Sequence, residues 1–303
     1  MDIEDVIIIG GGPAGIAAAI QLKRYGLAPL IFEREALGGL LRNANLVENY
    51  PGFPGGISGL KLVGLLEQQA RDFALRVTYA EVIRLDRAAG SFQVETRQGI
   101  SAAHCVVVAS GTRPHPYSWA DIPREARSKV FYEIYPLVSQ RGLKIVILGA
   151  GDAAFDYALN LAKKNQIVVL NRGEAIKCLP LLWERVQREP KISYFDNITI
   201  SQITVDPPAG MRLECSRPTG PRSFHADYLV VAFGREPQLD FLSAQIVKTS
   251  QELESKGLLY FIGDVKNGIF RQTAIAVGDG LLAAMQIYQY LEEQLPGRSS
   301  PRM

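Results

Sequence analysis

Two glycine-rich turns are the segments of this sequence whose residue types and spacing point most directly to chemistry. The first, Gly10-Gly11-Gly12-Pro13-Ala14-Gly15, follows an apolar run at 6–9 that predicts a buried strand, and it leads into a predicted helix. In this G-x-G-x-x-G spacing the glycines allow a tight turn, close approach of the backbone to a pyrophosphate, and close packing of the helix on the strand. The next strand ends at Glu33, where a carboxylate can accept hydrogen bonds from ribose hydroxyls. The pattern predicts a dinucleotide site with the residues Gly10, Gly12, Pro13, Ala14, Gly15 and Glu33.

The pattern returns in the second half of the chain at Gly149-Ala150-Gly151-Asp152-Ala153-Ala154, again between a predicted strand and a predicted helix. Here the following strand ends in Asn171 instead of an acid. Without that acid a free 2′-hydroxyl is held less well, and the nearby Arg172 and Lys177 could favour a 2′-phosphate or could simply be solvated in a loop. The second turn predicts another nucleotide site with the residues Gly149, Gly151, Asp152, Ala153, Arg172 and Lys177.

Strands and helices alternate around both turns, and this alternation predicts an α/β protein with parallel sheets. Strands are expected at 6–9, 30–32, 105–109, 144–148, 167–170, 229–233 and 258–262, and helices at 14–25, 153–163 and 273–294. The strand at 258–262 ends in Gly263-Asp264, and the segment at 296–303 is expected to be a frayed tail. The length of 303 residues fits about two domains, so one dinucleotide-binding unit is expected around each turn.

Composition argues against several classes of protein. The 33 Lys and Arg residues nearly balance the 31 Asp and Glu residues, and the net charge of +2 argues against nucleic-acid binding. The 3 histidines are scattered, which argues against a metal site. The acidic N-terminus does not resemble a signal peptide, and the glycines at 10–12 interrupt the first apolar run, so a cytoplasmic protein without a membrane span is expected.

Together with the two glycine turns, three further motifs form a series that extends along nearly the whole chain. They are Glu48-Asn49-Tyr50-Pro51-Gly52-Phe53, Gly263-Asp264 and Arg271-Gln272-Thr273-Ala274. This order resembles the low-molecular-weight thioredoxin reductases, a class II group of the pyridine nucleotide-disulfide oxidoreductase superfamily. The resemblance implies a homodimeric enzyme that uses FAD and NADPH and has two Rossmann-like (three-layer ββα) domains, the second inserted in the first. It places an FAD-binding domain at 1–113 plus 245–303 and an NAD(P)-binding-like domain at 116–242.

The resemblance also assigns flavin contacts outside the first turn. Asp264 matches the acid that binds the ribityl and pyrophosphate region, Asn49 matches a residue near the isoalloxazine ring, and 271–274 opens a helix that points at the pyrimidine side of the flavin. Leu40 stands where the family commonly carries a flavin-contacting Gln. The residues implied in this way are Gly39, Leu40, Leu41, Asn49, Val82, Ala109, Gly111, Gly263, Asp264, Arg271, Gln272 and Thr273.

The sequence departs from the family at its redox centre. Where the family carries a redox-active Cys-x-x-Cys before the second turn, this chain has Tyr132-Glu133-Ile134-Tyr135. No catalytic side chain is assigned with certainty, because the flavin is the redox centre. Tyr132 and Tyr135 are the candidates to face it, since an aromatic ring can stack on an isoalloxazine, and the alternative is that they fill a domain interface.

The second nucleotide site departs from the family as well. The family's His-Arg-Arg-x-x-x-Arg for the NADPH phosphate is here Asn171-Arg172-Gly173-Glu174-Ala175-Ile176-Lys177, in which Gly173 replaces one of the cations. NADPH is therefore one candidate ligand, and another nucleotide in this site is the alternative. The helix start at 152–159 is more similar to the ferredoxin–NADP reductases of the thioredoxin reductase type, which lack the cysteine pair.

The resemblance and its departures leave three functions. The first is an FAD-dependent oxidoreductase that passes electrons between NAD(P)H or a redox protein such as ferredoxin and an external acceptor, without an internal dithiol. The second is a thioredoxin reductase-like enzyme that acts on an external disulfide, with a thioredoxin-like partner, and the third is a flavin-binding protein with a degenerate second site. The missing cysteine pair favours the first function, because Cys105, Cys178 and Cys215 are far apart in sequence and offer no local dithiol. Of these, Cys105 is expected in the core, Cys178 is expected to be a surface thiol, and Cys215 is expected to be structural.

Overall fold

The computed structural model describes residues 3–207 and 210–294, and the chain divides into two compact units. Unit 1 is assembled from the described residues of 1–42, 48–113 and 236–303, and unit 2 from those of 43–47 and 114–235. The tail predicted at 296–303 lies outside the described residues.

The unit boundaries differ from the predicted domain ranges at two places. Segment 43–47 belongs to unit 2, where the side chain of Asn43 forms hydrogen bonds with Glu133 and Tyr135. Segment 236–244 belongs to unit 1, where the main-chain N–H of Leu85 donates to the carbonyl oxygen of Phe241 at 2.7 Å. As domain assignments, the predicted ranges stay predictions.

Strands and helices alternate in both units. The strands of the described residues are β1 (Ile3–Ile9), β2 (Leu30–Glu33), β3 (Arg76–Tyr79), β4 (Val82–Ala88), β5 (Ser91–Thr96), β6 (Gly99–Val108), β7 (Thr112–Pro114), β8 (Val130–Phe131), β9 (Lys144–Leu148), β10 (Gln166–Leu170), β11 (Ile192–Phe195), β12 (Thr199–Asp206), β13 (Gly210–Ser216), β14 (Arg222–Ala226), β15 (Tyr228–Val231), β16 (Arg235–Pro237) and β17 (Leu259–Phe261). The α-helices are α1 (Pro13–Arg24), α2 (Gly59–Asp72), α3 (Asp152–Ala162), α4 (Pro180–Arg188), α5 (Ala244–Ser255) and α6 (Thr273–Gln294). Short 3₁₀ helices span Gly39–Asn43, Arg124–Lys129, Tyr135–Leu137 and Gly263–Val265.

Unit 1 is built on a mixed sheet with the strand order β3-β2-β1-β6-β5-β4, in which β17 also pairs with β6. The strands β1, β2, β3, β6 and β17 run parallel, and β5 and β4 extend the sheet in antiparallel fashion. Ile9 pairs with Phe32 and with Val108, and Phe261 also pairs with Val108. The carboxyl ends of β1, β2, β6 and β17 therefore meet at one edge, which is where open α/β sheets bind their ligands.

The core of unit 1 forms because its central strands are apolar on both faces. Val6, Ile7 and Ile8 in β1 are all fully buried. Helices α1 and α6 approach each other so closely that a Cβ on Gly280 would lie 2.3 Å from the carbonyl oxygen of Ala14. Only a glycine in α6 permits this packing, which fixes the first turn of α1 against α6.

Unit 2 has a parallel sheet with the order β11-β10-β9-β15-β8 and a separate antiparallel sheet, β12-β13-β14. Leu148 pairs with Leu170 and with Val231, and Leu170 pairs with Phe195, so four strands of this sheet also end at one edge. Helix α3 covers the parallel sheet through buried residues such as Phe155.

In each unit, a parallel strand therefore runs into a glycine turn and a helix, and unit 2 interrupts the chain of unit 1. This architecture confirms the predicted α/β class with two Rossmann-like units, the second inserted in the first. No helix among the described residues is both long enough and apolar enough to cross a bilayer. Residues 3–207 and 210–294 also hold no cluster of three or more His, Cys, Asp or Glu side chains arranged to bind a metal.

Candidate functional site

The first glycine turn has a backbone that other residues could not adopt. Gly10 has φ +110°, and a Cβ there would lie 2.3 Å from the carbonyl oxygen of Ala109, while a Cβ on Gly15 would lie 2.0 Å from the carbonyl oxygen of Gly10. Gly12 is different, because a Cβ on it would meet nothing within 4 Å. The turn is thus closed on the protein side and open at Gly12, beside Pro13 at the start of α1, which leaves a cradle for a phosphate group.

Glu33, predicted to bind a ribose, is buried and holds the turn itself. Its Oε2 accepts a hydrogen bond from the N–H of Gly11 at 2.7 Å, and its Oε1 accepts one from the N–H of Glu35 at 2.9 Å. Each carboxylate oxygen can accept a second hydrogen bond. Glu33 therefore fixes the shape of the turn and keeps acceptor capacity for a hydroxyl.

Three more segments converge on this turn. The N–H of Gly38 donates to the carbonyl oxygen of Gly11 at 2.8 Å, and a Cβ on Gly39 would lie 3.4 Å from the Cα of Gly12. On another side, a Cβ on Gly263 would lie 2.9 Å from the Cβ of Ala14. The structure thus brings together the predicted residues Gly10, Gly12, Pro13, Ala14, Gly15, Gly39, Ala109, Gly263 and, directly after Gly263, Asp264.

Asp279 holds the Gly263 segment in place, and the sequence reasoning missed it. Its Oδ2 accepts hydrogen bonds from the N–H of Gly263 at 3.0 Å and from Nδ2 of Asn267 at 2.7 Å. Its Oδ1 lies 3.3 Å from Nζ of Lys266. The only signal in the sequence was an acid in an otherwise apolar and small-residue stretch of α6.

The remaining candidates for flavin contact all lie in unit 1, but they differ in burial and in their hydrogen bonds. Nδ2 of Asn49 donates to Oε1 of Gln272 at 2.8 Å, directly before Thr273 at the start of α6. Val82 and Leu41 are buried. Arg271 and Leu40 are half-buried, and Gly111 has φ +66° and accepts a hydrogen bond from the N–H of Gln238 at 3.0 Å.

The second glycine turn repeats the geometry of the first in unit 2. Gly149 has φ +133°, and a Cβ there would lie 2.4 Å from the carbonyl oxygen of Ala232. Its N–H donates to the carbonyl oxygen of Leu170 at 3.0 Å, which ties the turn to the end of β10. Gly151 then caps α3, which begins at Asp152 and continues with the exposed Ala153.

The loop after β10 folds back over this second turn. The N–H of Lys177 donates to the carbonyl oxygen of Ala150 at 2.8 Å, and Oδ1 of Asp152 accepts a hydrogen bond from the N–H of Leu179 at 2.7 Å. Lys177 is thus held beside the turn by its main chain. The Arg172 guanidinium lies 5.5 Å from the ring centroid of Trp119.

The segment Tyr132–Tyr135 is held by interactions within unit 2. Oη of Tyr132 accepts a hydrogen bond from the N–H of Tyr117 at 3.0 Å, and the N–H of Tyr135 donates to Oδ1 of Asn43 at 2.8 Å. Ile134 is fully buried, whereas Tyr135 is 47% exposed. Whether either tyrosine faces a flavin stays a prediction.

Glu133 in the same segment forms a polar network that the sequence reasoning did not identify. Its Oε1 lies 2.6 Å from a guanidinium nitrogen of Arg235, and its Oε2 accepts a hydrogen bond from Nδ2 of Asn43 at 2.5 Å. Burial, together with the negative charge of Glu133, raises the pKa of Tyr157. No local pattern could have predicted these contacts, because Glu133 and Arg235 are 102 residues apart.

The chain's three cysteines are free thiols. Burial raises the pKa of Cys105 to about 12 and that of Cys215 to about 11, and it also raises the pKa of the half-buried Cys178. All three are therefore protonated near neutral pH, and a protonated thiol is a poor nucleophile.

Comparisons with known proteins identify the family to which this chain belongs. Residues 4–280 match the family described as pyridine nucleotide-disulphide oxidoreductase. A thioredoxin reductase of Mycolicibacterium smegmatis is 29% identical over 96% of this chain and 98% of its own length. The solved thioredoxin reductase of T. acidophilum is 25% identical, with a TM-score of 0.81 over 95% of this chain and 99% of its own. That of Lactococcus lactis, at 24% identity, shares the fold with a TM-score of 0.83 over 96% and 99% of the two chains. The chain belongs to the pyridine nucleotide-disulphide oxidoreductase family and is a thioredoxin reductase-like, FAD-dependent oxidoreductase.

Proposed function

We propose that this enzyme passes electrons between a nucleotide or protein donor and an external acceptor through its flavin, without an internal dithiol. The observation that carries the proposal is which residues form the segment Tyr132–Tyr135. It contains no sulfur, and its Glu133 is tied to Arg235 at 2.6 Å and to Asn43 at 2.5 Å. Because the thiols elsewhere in the chain are protonated near neutral pH, they are poor substitutes for a redox pair.

The residues of the first turn fit FAD. The N-terminal end of α1 carries a partial positive charge and main-chain N–H groups, and the open side at Gly12 lets a pyrophosphate approach them. Glu33 keeps lone pairs for a ribose hydroxyl, and Asp264 is the proposed partner of the ribityl hydroxyls. FAD bound there supplies one- and two-electron redox chemistry at its isoalloxazine ring.

Helix α6 is proposed to tune the flavin. Its first residue, Thr273, follows Gln272, and Gln272 is fixed by its hydrogen bond from Asn49. The partial positive charge at a helix N-terminus stabilises negative charge placed against it, so it would raise the reduction potential of a ring at this position. In this proposal, Asn49, Arg271, Gln272 and Thr273 orient the ring, and Tyr132 and Tyr135 are the candidates to cover it.

The second turn is proposed to hold the nucleotide that exchanges electrons with the flavin. Gly149 and Gly151 place the N-terminal end of α3 where it can bind a pyrophosphate. NADPH is the proposed nucleotide, with Arg172 and Lys177 as the cations nearest to its 2′-phosphate. Another nucleotide is the alternative, because Gly173 supplies no charge, and reduced ferredoxin is the alternative donor.

A small redox protein is the proposed external partner. The relatives named above are thioredoxin reductases, so a thioredoxin-like disulfide protein is one candidate acceptor, and a ferredoxin-like protein is the other.

A homodimer is proposed to form through the outer face of α6. Four apolar residues of this helix are exposed: Ile275 is 40% exposed, Leu281 38%, Leu282 54% and Met285 49%. A group of exposed apolar residues on one helix is typical of an association surface. Light scattering should give the mass of a dimer, and Leu282→Glu should shift it towards the monomer. A monomeric wild-type protein would contradict this assignment.

The function is tested by an anaerobic reductive titration of the holoenzyme. We expect uptake of about two electrons per FAD, because the flavin is the only two-electron centre in the proposal. Uptake of four electrons, with a charge-transfer band that Cys178→Ser abolishes, would show that a thiol takes part. Flavin reduction by NADPH, NADH and reduced ferredoxin, measured side by side, then identifies the donor. Turnover with a thioredoxin disulfide would favour the disulfide reductase alternative, and no reduction by any donor would favour a flavin-binding protein with a degenerate second site.

A further inference from the structure

A basic pocket in unit 2 lies next to the second glycine turn. Its volume is about 310 Å³, and it is lined by Arg172, Asn197, Thr199, Ser216, Arg217 and Pro218. The lining residues come from the loops after β10, β11 and β13, from the first residue of β12 and from the last residue of β13, so the antiparallel sheet contributes to the pocket as well as the parallel one. Guanidinium, hydroxyl and amide groups, all of which can donate hydrogen bonds to a phosphate, are present there.

The arginines around this pocket carry positive charge that no carboxylate neutralises. Among the described residues, neither Arg172, Arg217 nor Arg222 forms an ion pair. Nε of Arg217 is buried and has no hydrogen-bond partner in the part of the chain that the structure describes. A buried donor without a partner is costly, and a bound anion would satisfy it.

Aromatic rings hold these arginines in place instead. The guanidinium carbon of Arg217 lies 5.6 Å from the ring centroid of Phe195, and that of Arg222 lies 4.1 Å from the same centroid. Arg172 lies 5.5 Å from the ring of Trp119, which is itself stacked on Phe233. Cation–π contacts orient a guanidinium and leave its N–H groups available to a ligand.

The acid Glu174 contacts the pocket residue Asn197 and, among the described residues, forms no ion pair with the arginines. Oε1 of Glu174 accepts a hydrogen bond from Nδ2 of Asn197 at 3.4 Å. The hydroxyls of Thr199 and Ser216 make no hydrogen bond with another residue in the described ranges 3–207 and 210–294. Two hydroxyls and two guanidinium groups are therefore free to donate into the pocket.

The pocket lies at the ligand-binding edge of the sheet. The N–H of Asn171 donates to the carbonyl oxygen of Phe195 at 2.8 Å, and the N–H of Ile198 donates to the carbonyl oxygen of Asn171 at 2.9 Å. These bonds join the loops that line the pocket, and the preceding residue, Leu170, accepts the hydrogen bond of Gly149. The pocket and the second turn are thus built on the same strand end.

We propose that this pocket binds a phosphate monoester of the nucleotide held at the second turn, and that Arg217 is a specificity-determining residue for it. The inference rests on the proposed function only in that a nucleotide occupies the second turn. Arg217 and Arg172 donate guanidinium N–H groups to the phosphate, and Thr199 and Ser216 donate their hydroxyls. Arg217 thereby supplies, from the end of β13, positive charge that Gly173 does not provide in the loop after β10.

The test is calorimetric titration of the holoenzyme with three probes: adenosine 2′,5′-bisphosphate, 5′-AMP and inorganic phosphate. We expect the bisphosphate to bind about 10–100-fold more tightly than 5′-AMP, the range for one charge-assisted contact group. Arg217→Gln and Arg172→Gln should each remove most of this preference, and Arg217→Lys should retain part of it, because it keeps the charge but loses the planar fork. The matched control is Arg212→Gln on the same β13, since Arg212 lies 3.6 Å from Asp206 and does not line the pocket. Unchanged flavin absorbance and tryptophan fluorescence show that each variant is folded.

Equal affinities for the bisphosphate and 5′-AMP would overturn the proposal, as would no binding of either or a preference that Arg217→Gln leaves unchanged. Inorganic phosphate binding as tightly as the bisphosphate would overturn the nucleotide assignment and show a site for the free anion. Two results distinguish a failure of the proposed function from a failure of the pocket assignment. If bisphosphate binding depends on Arg217 but neither NADPH nor NADH reduces the flavin, the pocket assignment is supported and the electron donor is neither of these nucleotides. If NADPH reduces the flavin with the same KM in Arg217→Gln, the function stands and the pocket assignment falls.

Discussion

Asp156 is the residue whose substitution should change the stability of unit 2 most clearly with pH. It lies on α3, and its Oδ2 accepts a hydrogen bond from the N–H of Asn45 at 2.8 Å. Burial raises the pKa of Asp156 from 3.8 to about 6, although the hydrogen bond from Asn45 and the positive charge of Lys163 act in the opposite direction. A shift of about two units at 1.36 kcal/mol per unit means that the charged form costs up to about 3 kcal/mol of stability near neutral pH.

The direction in which stability changes with pH follows from proton binding by Asp156. The folded state holds the Asp156 proton more tightly than the unfolded state does, so this group favours folding most at pH values below the unfolded pKa of 3.8. Its contribution falls as the pH rises from there to about 6 and is constant above that value. Asp156→Asn removes the titration while its amide oxygen can still accept the hydrogen bond of Asn45. We therefore expect a more stable unit 2 at pH 7, by up to about 3 kcal/mol, and a flatter stability profile between pH 4 and 6.

The assay is urea unfolding followed by tryptophan fluorescence, because both tryptophans, Trp119 and Trp183, lie in unit 2. The control is Asp206→Asn, since the hydrogen bond from His225 lowers the pKa of Asp206. That carboxylate stabilises the fold above its unfolded pKa, so its removal should lower stability at neutral pH and leave the slope near pH 5 intact. The reasoning is refuted if Asp156→Asn shows the wild-type slope, or if it is less stable than the wild type by the same amount at every pH.

Three further predictions concern the nucleotide sites. Gly15→Ala should yield protein without flavin, because its Cβ would lie 2.0 Å from the carbonyl oxygen of Gly10, and flavin absorbance measures the loss. Asp264→Ala should fold but lose flavin on dialysis, with affinity lower by about 10–100-fold if one charged acceptor is removed; full retention would exclude Asp264 from the site. Arg172→Ala and Lys177→Ala should each reduce the preference for NADPH over NADH in flavin reduction kinetics, and strong selectivity that survives both substitutions would place the 2′-phosphate elsewhere.

The parts of the fold that the sequence predicted are those in which a residue's requirement is local. Gly10 and Gly149 were predictable because their φ values of +110° and +133° are open to few other residues. The apolar strands that precede both turns were predictable because parallel strands covered on both faces need such runs. These two signals, repeated once, were sufficient for the α/β class with two Rossmann-like units.

The features that the sequence did not predict depend on partners distant in the chain. Asp279 binds a segment that begins 16 residues earlier, and Glu133 pairs with Arg235 across 102 residues. Glu33 was predicted as a ligand for ribose, but no pattern in the sequence indicated that it also accepts two main-chain hydrogen bonds. The membership of segment 43–47 in unit 2 was hidden for the same reason, since it depends on bonds of Asn43 to residues about 90 positions away.

The ion pair of Glu133 bears directly on how electrons can leave this enzyme. A thiol pair that serves an external partner must be exposed or movable, so that its sulfurs can be attacked. Glu133 is instead held by hydrogen bonds from Arg235 and Asn43 in a partly buried setting. A segment anchored in this way is suited to holding a fixed shape. In the proposed function, electron transfer to an acceptor therefore depends on access to the flavin itself, and not on a mobile group that carries electrons away from it.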